Sequence, residues 1–143
     1  MHSHHQKTYL KLSLDLDFTL IAVTASLKDY LLCHKLNTTL DFNFEKVNDH
    51  EVFFNIDEPP LSFSKFYYLA EQGEIEYYLL NNRNAEGFLI PEMNKVDFFI
   101  VIHQYIDDED LNFLIKGLNK LPDVQVAVKI DPLKLKSKEN LVM

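Results

Sequence analysis

Between Leu40 and Asn82, four segments rich in Phe, Tyr, Val and Ile follow one another: Leu40 to Val47, Glu51 to Ile56, Ser62 to Ala70 and Ile75 to Asn82. The connections between them are too short to hold a helix. A parallel crossover needs about a dozen residues, so these segments are confined to an antiparallel meander. Asn48-Asp49-His50 reads as a tight turn and Asp57-Glu58-Pro59-Pro60 as an extended corner. Glu71-Gln72-Gly73-Glu74 reads as a hairpin loop in which Gly73 supplies a positive φ.

The flanking segments supply the rest of an α+β pattern. Leu10, Leu12, Leu14, Leu16 and Phe18 alternate with Lys11, Ser13, Asp15 and Asp17, the period of a half-buried strand. Leu20 to Val23 lose that alternation, as a strand does where both of its faces are covered. Ser26 with Asp29 three residues on reads as a helix start, giving a helix from Leu27 to Asn37 with Leu27, Tyr30, Leu31 and His34 on one side. Asn81 to Asn84 lead into a loop before Phe88 to Ile90, which Pro91 bars from a central strand position. Val96 to Tyr105 is the most apolar segment and is placed centrally, with Phe98, Ile100 and Ile102 on one face and Phe99 and Val101 on the other. After Asp107 to Asp110, the stripe Leu111, Leu114, Ile115, Leu118 and Leu121 demands an amphipathic helix, and Pro122 closes it. Val124 to Ile130 is the last strand, expected parallel to the Val96 strand through a right-handed crossover.

The expected fold is therefore a mixed, mainly antiparallel sheet of about six or seven strands with two helices packed against it. Residues 1–6 read as a disordered His-bearing N-terminus, 7–131 as a single α+β domain and 132–143 as a frayed lysine-bearing tail.

Charge narrows the choice of partner. The chain carries 14 Lys and Arg against 22 Asp and Glu, a formal net charge of −8, and Arg83 is its only arginine. A phosphate-binding surface needs clustered bases, so no nucleic acid is expected, and a partner surface should be apolar rather than phosphate-bearing. The lone Cys33 permits no internal disulfide and no CxxC centre. The N-terminus lacks the pattern of a signal peptide, and no apolar run reaches membrane-spanning length, so no membrane partner and a cytoplasmic location are expected. Asn37-Thr38-Thr39 matches a glycosylation sequon but reads as a helix end.

The segment Ile90-Pro91-Glu92-Met93-Asn94-Lys95-Val96-Asp97-Phe98 resembles the naming motif of the IPExxxVDY family of small bacterial proteins of unknown function, departing only at Phe98, where the family has Tyr. Phe18-Thr19-Leu20-Ile21-Ala22, Asp29-Tyr30 and Leu36-Asn37 are similar to that family's N-terminal strand and helix, so the likeness runs from Leu10 to about Ile106. The resemblance implies no enzymatic activity, cofactor or catalytic residue. Phe98 can pack but cannot donate the hydrogen bond a Tyr would, which removes a catalytic tyrosine from that position.

Three side chains are candidates for chemistry: Glu92 and Asp97, a pair of carboxylates flanking the turn into the central strand, and His103 on the same strand face as Asp97. Their structural alternatives are a turn cap for Glu92, a strand-end anchor or a Lys95 partner for Asp97, and a satisfied or edge histidine for His103. Met1-His2-Ser3-His4-His5 has the composition of an adventitious metal chelator or an expression tag. Asp107 to Asp110 lack the alternating ligands of a calcium loop and suit a helix start instead. No metal and no cofactor are expected. In the strand segments, Phe42, Phe44, Phe53, Phe54, Phe63, Phe66, Tyr67, Tyr68, Tyr77 and Tyr78 exceed what one sheet face conveniently buries, so that either an aromatic patch stays exposed or the sheet curls on itself and hides them. The leading expectation is a non-enzymatic module that binds a protein partner, or a second copy of itself, through aromatic strand surface. The alternative is a small hydrolase or ligand-binding enzyme with Glu92, Asp97 and His103 near a cleft.

Overall fold

The computed structural model describes residues 16–70 and 74–143. Among them the chain forms β1 (Thr19–Ala25), α1 (Asp29–Thr39), β2 (Glu45–Val52), β3 (Leu61–Leu69), β4 (Glu76–Asn81), β5 (Arg83–Asn84), β6 (Gly87–Phe88), β7 (Phe98–His103), α2 (Asp108–Lys120) and β8 (Val124–Ile130). Short 3-10 turns occupy Pro91–Met93, Pro132–Lys134 and Lys138–Leu141. This is the expected α+β class, with six strands in the order β2-β3-β4-β7-β1-β8 and a separate β5-β6 hairpin. The alternating stretch before Leu16, the Gly73 turn and the N-terminal histidines lie outside the described residues.

The meander β2-β3-β4 forms as its short connections require, and β7 sits centrally, paired to β4 on one side and β1 on the other. The last strand runs in the direction of the Val96 strand, as expected, but does not pair with it. β1 lies between β7 and β8 and is antiparallel to both, so β7 and β8 run in the same direction without touching. The sheet is thus antiparallel at every described ladder rather than mixed. Leu20 to Val23 are all buried, and a strand apolar on both faces gains most between two neighbours. β8 leaves Val126 and Val128 half exposed and takes the edge instead.

The region 40–56 is also corrected. Leu40 to Phe44 are not strand, because Asn37 grips the Phe44 backbone, donating from Nδ2 to its carbonyl at 3.0 Å and accepting its N–H at 2.8 Å. β2 then runs straight through Asn48-Asp49-His50, which make a bulge with a register shift between Val47 and His50 rather than a turn. Phe53, Phe54 and Ile56 leave the sheet and stand exposed.

Helix α1 starts at Asp29 with Lys28 in the cap position, not at Ser26. Ser26 is recruited by the far end of the chain: its N–H donates to the Asp123 carbonyl and its hydroxyl accepts from Gln125. The buried side of α1 is Leu32, Cys33 and Leu36, whereas Tyr30, Leu31 and His34 face outward. Helix α2 matches its stripe: Asp107 accepts the Asp110 N–H at 2.8 Å, and Leu111, Leu114 and Leu118 are buried.

The two helices cover one face of the sheet, over Ile21, Val23, Ile100 and Ile102. The opposite face, with Leu20, Leu80, Phe99 and Val101, is covered without a helix. Leu89, Ile90 and Val96 from the excursion between β4 and β7 lie on it, together with Leu141 from the C-terminal end. The expected frayed tail is therefore docked. Pro132 and Leu141 are buried, Asn140 donates to the Leu89 carbonyl at 2.8 Å, and Ser137 is held by Glu92.

Candidate binding groove

Glu92, Asp97 and His103 do not assemble into one site. Glu92, on the turn after Pro91, accepts both the N–H and the hydroxyl of Ser137 at 2.8 Å. Burial raises its pKa, but these hydrogen bonds outweigh that and hold the carboxyl below its ordinary 4.5. Asp97 anchors a strand end, accepting the Ala25 N–H at 2.8 Å and pairing with Arg83, not Lys95, at 2.7 Å. His103 is six residues further on, about 20 Å along the strand. It packs against the rings of Phe18 and Tyr78, and its Nε2 has no hydrogen-bond partner among the described residues. Each of the three is committed separately, two of them to holding segments together.

The residues carrying the resemblance to the IPExxxVDY motif have similar occupations. Ile90, Val96 and Phe98 are buried, Pro91 opens a 3-10 turn, and Glu92 and Asp97 fasten the tail and β1. No family model matches the chain, and no curated protein matches it. Among the described residues no group of three His, Cys, Asp or Glu side chains converges as a metal site would require.

A different constellation appears where α1 ends, α2 begins and the β3–β4 hairpin opens. Phe42, Tyr68 and Tyr77 meet there, Phe42 edge-on to Tyr77 at 5.1 Å and to Tyr68 at 5.6 Å, while Tyr68 and Tyr77 stack at 5.7 Å with planes 27° apart. These rings floor an open groove of about 910 Å³, and the carboxylates of Asp41, Glu45 and Asp110 stand along its rim. Neither lysine nor arginine is among its described lining residues. None of the three rim carboxylates belongs to an ion pair among the described residues. Burial pushes the Tyr77 phenol up, and the charges of Asp110 and Asp107 push the same way.

Local sequence accounts for the arrangement. The Leu36 carbonyl accepts from Leu40 at 3.0 Å and from Phe42 at 3.3 Å, and Asp41 between them takes a left-handed conformation, φ 61°. That hairpin of backbone aims Phe42 at Tyr77. Leu40 rests on α2 at Gly117, where a Cβ would approach its side chain to 2.5 Å, so a residue without one lets the helix close over the loop. Tyr68 and Tyr77 are register partners on β3 and β4.

Sequence reasoning placed Phe42 and Asp41 in a strand and so missed this groove. The available signal was Asp41 itself, an acid directly after a helix end, where Gly or Asn is usual. A second cleft, about 610 Å³, runs past Phe54, Pro59, Pro60 and Phe88. On the sheet face away from the helices, the Tyr67 hydroxyl donates to Glu76 at 2.7 Å, a bond that pushes its pKa up to about 12. Cys33 is buried, its thiol donating to the Phe44 carbonyl at 3.7 Å, and burial raises its pKa.

Proposed function

We propose that the chain is a non-enzymatic binding module that receives an extended segment of a partner protein in the groove floored by Phe42, Tyr68 and Tyr77. The observation that carries this reading is the open aromatic floor itself. Phe42 and Tyr68, part-exposed and braced against the buried Tyr77, offer a rigid apolar surface at small cost in side-chain entropy. The separation of Glu92, Asp97 and His103 removes support from the hydrolase alternative. Self-pairing through the sheet is discouraged at both described edges. β2 presents Glu45, Lys46, Asp49 and Glu51 together with its bulge, and β8 is occupied by a side chain from α2.

The resemblance to a family of small bacterial proteins and the single buried thiol support a cytoplasmic setting. No helix among the described residues is long and apolar enough to cross a membrane.

The test is a titration of the isotope-labelled full chain with unstructured peptides of apolar, acidic and basic composition, followed through backbone amide shifts. Shifts clustered at residues 41–45, 67–70 and 75–77, and lost in Tyr68→Ala, are the expected result. Absence of groove shifts with every peptide, in a chain whose spectrum is otherwise native, overturns the reading.

A further inference from the structure

We draw no further inference here: the strongest candidate, the open cleft past Phe54, Pro59, Pro60 and Phe88 between the β2–β3 connection and the β5–β6 hairpin, is an unpartnered apolar face, and nothing in the structure shows what covers it.

Discussion

At the scale of single residues, asparagine does much of the joining. Asn37 satisfies both backbone groups of Phe44, and Asn119 satisfies both backbone groups of Ala127, each at 3.0 Å or less. Asn82 is fully buried. Its Nδ2 donates to the Met93 and Val96 carbonyls and its Oδ1 accepts the Ile90 N–H, so one amide secures the whole loop that carries the second core. A side-chain amide has one acceptor and two donors, which lets it stand in for a missing stretch of strand. Asn82→Ala strands two buried backbone groups and one part-buried one and should cost about 3 kcal/mol, measured by urea unfolding. Asp41→Asn keeps a residue tolerant of the left-handed backbone and removes a charge from the wrong end of α1. It should gain about 0.5 kcal/mol in the same assay. In sequence these asparagines read as turn formers, because a side chain's distant partner leaves no local trace.

At the scale of elements, β8 and the C-terminal segment show what closes the sheet. An edge strand of sequence Val-Gln-Val-Ala-Val-Lys-Ile, half exposed at Val126 and Val128, invites pairing with another chain. Asn119, projecting from α2, fills the N–H and carbonyl of Ala127 at its centre with two 2.9 Å bonds. Wild-type protein should be monomeric by light scattering, and Asn119→Ala should form concentration-dependent dimers or larger species through β8. A variant that is merely less stable and still monomeric would refute the guarding role.

The C-terminal segment is held by two titratable contacts. His50 meets the Asn140 carbonyl at 2.6 Å, and Glu92 accepts from Ser137. Burial depresses the His50 pKa below 6.5 with help from the Lys65 charge, against the opposing pull of the Asn140 bond. Glu92 is likewise held below its ordinary 4.5. Both groups therefore bind protons more readily in the unfolded chain. The stability these two groups contribute is complete above pH 6.5, begins to fall as His50 protonates below that value, and falls again below pH 4.5 with Glu92. Hydrogen exchange should show residues 132–143 opening first on acidification, and His50→Gln should flatten the upper part of the profile.

At the scale of the whole molecule, the aromatic excess is divided between two cores rather than spread over one exposed sheet face. Phe44, Phe66, Tyr77 and Phe98 lie under the helices, and Phe63 and Phe99 lie under the returning chain. What remains open is dispersed: Phe42 and Tyr68 at the groove, Phe53 and Phe54 after β2, and Tyr30, Tyr105 and Phe113 elsewhere on the surface. The sequence by itself determined which segments are strands and helices wherever a periodic pattern extended over several residues: the meander, the central β7 and the capped α2. It determined the class for the same reason, since alternation and the helical stripe are local consequences of side-chain geometry. Only the tertiary structure decided that β1 separates β7 from β8, that Leu40 to Phe44 form a loop, that the tail is docked, and that Glu92, Asp97 and His103 stay apart while Asp41, Phe42, Tyr68, Tyr77 and Asp110 come together. The physical reason is common to all of these. They depend on hydrogen bonds and ring contacts between residues far apart in the chain, such as Asn140 with Leu89 and Phe42 with Tyr77, and no spacing rule in the sequence encodes such a pair.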